Sequence, residues 1–249
     1  MSDKYKQVLT GIGVAVFWVA VWEAASLLVG QELLLPSPVQ VTVTWAQLLP
    51  TGGFWLSVLL SLARVAAGFA AAVLTGSILA VLTTRFSPVS RLLSPILHTV
   101  RATPVASFII LAYVWLRVQI LPAFIAFLMV VPLVWENVSR GIAETDRKLL
   151  ETARVFRLSR GDTVRRVWWP SVRPYWEAAC AAGWGFAWKS GIAAEVICCP
   201  ELSIGRELHD AKAYLHTPAV FAWTATVILM SVVCEKLLRR FSAKQGVKA

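Results

Sequence analysis

Six stretches of this chain are each long enough and apolar enough to cross a lipid bilayer, and no other feature narrows the possible folds as far. A hydrocarbon core of ~30 Å takes roughly 20 helical residues at about 1.5 Å each. The stretches lie at about 9–29, 54–83, 89–116, 119–139, 172–198 and 216–238. Inside lipid the backbone N–H and C=O groups find no water, so a spanning segment has to satisfy them internally, as a helix does. The expected fold class is therefore an all-α integral membrane protein of about six transmembrane helices, with residues 1–249 forming one transmembrane domain. Composition agrees: 57% of residues are hydrophobic, 15% are charged, and the mean hydropathy of +0.66 exceeds what a soluble domain can bury. The net charge of +10 does not point to nucleic acid, because the basic residues follow the loops between apolar runs instead of clustering on a soluble face.

Each run carries its own signals. The first is of full spanning length and lacks a small-residue cleavage site, so it is expected to remain as a helix. LPSPVQVTVTWAQLLP follows it and is suited to the membrane interface. The second run is long enough to tilt or to project beyond the bilayer. Along it Gly68, Ala72, Gly76 and Ala80 recur every fourth residue, a seam of small side chains that admits a neighbouring helix closely. The third run is interrupted by Pro95 and Pro104, which predicts a broken helix. Trp45, Trp55, Trp115, Trp168 and Trp169 fall near span ends, as interfacial anchors do. Cys180, Cys198, Cys199 and Cys234 lack the spacing of a zinc or redox site, and His209 and His216 stand without other ligands near them, so no metal site is expected.

Eighteen of the 24 lysines and arginines fall at the two termini, in the second-to-third connection (Arg85, Arg91) and between Arg140 and Arg173. Only Arg117, Arg206 and Lys212 fall on the other side, and Arg64, Arg101 and Lys189 lie within the spans. The positive-inside rule then places both termini and the polar loop at about 140–171 in the cytoplasm. That loop still has helical character, and a membrane protein seldom carries so long a loop without a use for it, so it suggests a docking surface. Arg154, Arg157, Arg160, Arg165 and Arg166 can pair with an acidic rim, and Val155, Phe156 and Leu158 can anchor.

Within the loop, ETARVFRLSRGDTVRRVWWP resembles the signature of permease subunits of bacterial ABC importers. Glu151, Thr152 and Ala153 take its opening E-A-A, Val167 or Trp168 its apolar place, and Pro170 its closing proline. Its glycine place is held by Arg157, with Gly161 four residues on. RATPVASFIILAYVWL, PLVWENVSRGIAETDRKLLETARVF and GWGFAWKSGIAAEVI are similar to segments of the nitrate, sulfonate, taurine and bicarbonate group, and the likeness covers about residues 60–240. The resemblance implies a type I importer-like permease fold in a bacterial inner membrane. It implies that Glu151, Thr152, Ala153, Arg154, Phe156, Arg157, Ser159, Arg160, Gly161 and Pro170 form a coupling element. It further implies a second permease copy, two cytoplasmic ATPase subunits and an extracytoplasmic binding protein, with a small anion as solute. The chain has no Walker A sequence, so ATP and Mg belong to the ATPase and no cofactor is expected on this chain.

Charged residues inside spans are functional candidates because they are costly there. At 100° per residue Glu177, Trp184, Trp188 and Glu195 fall on one face of the fifth span, facing either the helix bundle or a pathway. The two carboxylates are about 27 Å apart along the axis, too far for one ligand. Lys189 lies off that face. Arg101 precedes the Pro104 break and is placed either to attract an anion or to pair with Glu136, while Arg64 reads as structural. An ion-coupled carrier or channel using Glu195, Lys189 and Arg101 is the alternative function. For an intramembrane enzyme, no Ser-His, paired Asp or metal-ligand set occurs at a spacing that would meet inside the bilayer.

Overall fold

In the computed structural model the backbone is described for residues 3–246 and the side chains for residues 10–238. Lys4, Lys6, Arg239, Arg240, Lys244 and Lys248, which contribute to the charge bias, lie outside the described side chains. The described residues form α1 (Asp3–Val29), α2 (Pro38–Leu48), α3 (Gly52–Arg85), α4 (Ser87–Ala102), α5 (Val105–Trp115) and α6 (Leu121–Ala143). They continue as α7 (Arg147–Val155), α8 (Arg160–Thr163), a π turn (Val164–Trp168), α9 (Trp169–Cys198), α10 (Ile204–Ala213) and α11 (Thr217–Gly246). No strand occurs among them.

The core is a three-helix sandwich of α3, α6 and α9. The small-residue seam makes it possible: Gly68, Ala72, Gly76 and Ala80 are all buried on one face of α3. A Cβ on Gly68 would overlap the Ala123 backbone, and one on Gly76 would stand 2.9 Å from the Val131 carbonyl oxygen. Backbones this close leave room only for hydrogen, and the reward is close packing along the whole length of both helices. Val65, Val130, Val134, Ala179, Ala187 and Trp188 fill the remaining space. On the flank, α2 opens with a capping box between Ser37 and Gln40 and packs on α11, where the Trp45 indole N–H donates to Thr226 at 3.0 Å.

Thr10–Val29, Gly52–Arg85, Leu121–Ala143 and Thr217–Leu238 are each long and apolar enough to cross a membrane, and α4 with α5 makes a fifth, bent span. Of the six expected spans, α9 is less apolar than the others. It has the length, 30 residues, but Arg173, Glu177, Lys189 and Glu195 and its tryptophans hold its hydropathy below that of the others. A helix can be this polar when neighbouring protein, not lipid, surrounds its polar face. The third span is corrected. It breaks at Pro104 alone, with a bend of 108°, while Pro95 sits inside an unbroken α4. Thr103, preceding the proline, is forced extended at φ −83°, ψ 136°, and this turns the chain. At Pro95 the helix loses one hydrogen bond and continues.

Gly68→Leu is expected to cost about 3 kcal/mol or more by overpacking α3 against α6. Thermal melting of the detergent-solubilised protein checks this against Gly53→Leu, where a new Cβ meets nothing within 4 Å and no loss is expected.

Candidate functional site

The polar loop is built as two short helices at one end of the bundle. Asp146 caps α7 by accepting from the Lys148 N–H at 2.8 Å, and Ser159 caps α8 by accepting from the Asp162 N–H at 3.1 Å. Between them the chain reverses at Arg157, whose φ of +52° lies in the left-handed region. The Leu158 N–H bonds the Ala153 carbonyl and the Arg157 N–H bonds the Arg154 carbonyl, each at 3.0 Å, the paired closure that normally ends on glycine. The bend thus falls at the position where the signature has glycine, and arginine adopts the glycine conformation.

Ala153 is buried, and Val167 is buried in the π turn that packs on α7. Glu151, Thr152, Arg154, Arg157, Ser159, Arg160, Gly161 and Pro170 are exposed. Thr152 is tied down through its hydroxyl to the Lys148 carbonyl at 2.8 Å. At the tip Val155 is 80% and Phe156 74% exposed, an apolar knob flanked in the chain by Arg154 and Arg157. Pro170 does not end the loop as a separate element: α8, the π turn and α9 follow without interruption, so residues 160–198 form one helical rod about 55–60 Å long. The helix runs without a break through about 171–172, where the sequence places the junction of loop and fifth span. The π turn absorbs the donor that Pro170 lacks, and the Ser171 hydroxyl bonds the Val167 carbonyl at 2.8 Å.

At the loop's root the Tyr175 hydroxyl donates to Glu144, which also accepts from Arg140 Nε at 2.9 Å. These two bonds, Tyr175 first and then Arg140, hold the Glu144 carboxyl below the usual carboxylate range. A group shifted in that direction gives its stabilisation above the usual carboxylate range and loses it as pH falls through the lowered value, so the contact is intact at neutral pH.

The aromatic and acidic face of α9 turns into the bundle. Trp184 stacks on Trp188 with ring centroids 6.2 Å apart and meets Phe69 of α3 edge-on at 5.4 Å. The Trp188 indole N–H donates to the Val227 carbonyl of α11 at 3.0 Å. Glu177, one end of that face, pairs with Arg173 at 2.7 Å. Lys189 is exposed on another side of α9. At the opposite end from the loop, Glu195 is fully buried, and its carboxylate accepts from the Ser61 hydroxyl at 2.7 Å, the Gly205 N–H at 3.2 Å and Arg64 at 3.4 Å. Ser61 in turn accepts from the Ile204 N–H at 2.9 Å. Two otherwise orphaned donors at the start of α10 are thus met by side chains of α9 and α3, and the negative charge complements the helix dipole. Arg64 also donates to the Glu201 and Leu202 carbonyls and to Gln119. The sequence marks Arg64 and Glu195 only as opposite charges within spans, and gives no sign of Ser61, Gln119, Gly205 or Tyr175. At the α4–α5 bend Arg101 pairs with Glu136, both largely exposed, beside the exposed Pro104.

A bundle of spanning helices around a polar, internally paired rod, with a basic loop projecting from one end, defines a multi-pass permease subunit. The chain belongs to the family of binding-protein-dependent transport system inner membrane components, whose pattern matches residues 72–246. It is similar to the nitrate import permease protein of Synechococcus elongatus, 27% identical over 79% of this chain and 74% of that one. It is likewise similar to the taurine transport system permease protein of Escherichia coli, 25% identical over 94% and 87% of the two chains. Relatives named for aliphatic sulfonates and bicarbonate fall in the same group. The fold matches a solved structure titled as an amino acid ABC transporter with histidines, with a TM-score of 0.64 and 16% identity over 82% of this chain and 96% of that one. The protein is therefore a multi-pass inner-membrane permease of type I importer fold.

Two outcomes test this geometry. Glu195→Ala strands the Gly205 amide and removes the charged partner of Arg64, and is expected to cost about 3–5 kcal/mol in thermal unfolding, with Glu195→Gln milder; equal melting of both with wild type would count against the cluster. Arg157→Gly relieves the left-handed strain, about 1 kcal/mol, so amide exchange at Arg157 and Leu158 should slow roughly fivefold, whereas Arg157→Val should accelerate it.

Proposed function

We propose that this chain forms the translocation pathway of an importer for a small anion, such as a sulfonate, taurine or nitrate, and couples it to ATP hydrolysis by a separate subunit. Two copies of the chain enclose the pathway, two ATPase subunits with ATP and Mg bind the loop on the cytoplasmic side, and an extracytoplasmic binding protein delivers solute. The solute class is supported by the names of the relatives, and the orientation, with both termini inside, by the positive-inside bias.

The observation that carries coupling is the Val155–Phe156 knob on a basic loop continuous with α9. An exposed aromatic anchor flanked by arginines suits a groove with an acidic rim. Because α8 belongs to the same rod as α9, displacement of the loop displaces the helix that organises the core. Closure of the ATPases around nucleotide then rocks the two bundles between outward and inward states, each stabilised by differential affinity. Arg101, Pro104, Glu136 and Lys189 are exposed on the protomer and are placed to line the pathway, with Arg101 favouring negative solutes. Trp184, Trp188, Glu177 and Glu195 serve it by holding the surrounding helices.

Glu151→Lys, in proteoliposomes containing the ATPase and the binding protein, is expected to abolish ATP-driven uptake of labelled sulfonate or nitrate while the permease still purifies as a folded protein. Undiminished uptake would overturn the loop's role. Uptake that survives removal of the ATPase and collapses with an ionophore would assign the chain to ion-coupled carriers.

A further inference from the structure

The two halves of the loop are attached to the core in different ways. The second half is one piece with α9, since residues 160–198 run as an unbroken rod. The first half hangs from the end of α6 through Glu144, Thr145 and Asp146. A force applied to the loop would therefore move α9 directly, whereas the end of α6 at the loop's mouth follows through its packing on α9 and through whatever ties the two roots together.

A hydrogen bond ties the roots, beside the packing of the π turn on α7. The Tyr175 hydroxyl, six residues into α9, donates to the Glu144 carboxylate at the end of α6. Arg140 Nε braces the same carboxylate at 2.9 Å from one turn back. Tyr175 packs against Gly141, where a Cβ would stand 2.9 Å from its Cδ2 and 3.0 Å from its Cβ, so a side chain at 141 would push the ring away. Thr145 is buried and bonds the Gly141 carbonyl at 3.1 Å, which anchors the root of α7 to the same turn of α6. The end of α6, the root of α7 and the first turns of α9 meet at this tyrosine. Gly141, Glu144 and Tyr175 all lie outside Glu151–Pro170, so the loop signature does not include them.

We propose that Tyr175 is a positioning residue for coupling: by bonding Glu144 it closes the mouth of the loop, so that both halves drive α6 and α9 as one body. This rests on the coupling role of the loop. Without the bond, the ATPase still closes on the loop and hydrolyses ATP, but α7 swings about its link and the end of α6 at the loop's mouth follows only through its packing on α9.

The test uses the full complex of permease, ATPase and binding protein in proteoliposomes, with solute import and ATP turnover measured together. Tyr175→Phe keeps the ring on Gly141 and removes the hydroxyl. The expected result is a fall of about tenfold in solute imported per ATP with basal ATP turnover retained, the scale of one lost hydrogen bond to a charged group. Glu144→Ala removes the other partner and should give the same fall, and the double variant should be no worse than either single one. Should Tyr175→Phe not assemble, Glu144→Ala alone reads the same ratio. A wild-type ratio in these variants overturns the proposal, as do effects that add in the double variant. A parallel drop in import and ATP turnover, which a merely structural role would give, overturns it as well. Glu151→Lys separates the two levels: if it leaves the ratio intact the coupling role itself fails, and if it uncouples while Tyr175→Phe does not, only the clamp fails.

Discussion

The arrangement depends on a carboxylate that has been taken out of water. Glu195 is fully buried, and a charge in that position is tolerable only because Ser61, Arg64 and the first amides of α10 surround it. The partners come from α3 and α10, and the carboxylate itself from α9. The cluster therefore fixes how far α3 slides along α9, where the chain turns after Cys199, and where α10 starts. Gly205 belongs to the same constraint, since a Cβ there would overlap Glu195 itself. Removing the carboxylate would leave the Gly205 N–H without its acceptor, take from Arg64 its charged partner and free the Ser61 hydroxyl that holds the Ile204 N–H, so these positions stand or fall together.

A second constraint runs along the middle of the bundle. The glycine and alanine seam of α3 lets α6 approach to backbone contact, and α9 closes the sandwich with tryptophans that hydrogen-bond or stack within it. Polar residues on α9 thus coexist with a membrane location because protein, not lipid, covers them. The charged groups that remain exposed, Arg101, Glu136 and Lys189, stand apart from this packed face.

Much of this was legible in the sequence where the signal is local. The apolar runs, the seam at every fourth residue and the break at Pro104 each follow from neighbouring residues and appear where expected. The loop's register was readable as well, including Arg157 as the odd residue, although only the backbone reveals that arginine takes the left-handed conformation itself. What was not legible is what joins distant residues. Ser61 and Glu195 are 134 positions apart, and nothing in either segment announces the other. Tyr175 reads as an ordinary aromatic near a span end until Gly141 is seen packed against it. Pro170 reads as the closing place of the loop signature, and the π turn that carries the helix through it has no sequence signature of its own.

That π turn fixes an angle. A five-residue turn inserted into an α-helix amounts to one extra residue, and one residue is worth about 100° of rotation about the axis. The rotation of α8, from which the chain turns back at Arg157 to the Val155–Phe156 knob, relative to the face of α9 that carries Glu195 thus depends on the count of residues between Arg160 and Trp169. Substitutions in this stretch leave the azimuth of the knob unchanged, whereas a one-residue deletion would swing it a quarter-turn or more out of line. Chimaeras that exchange loops among relatives will preserve geometry only when they conserve that count, whatever residues they carry across.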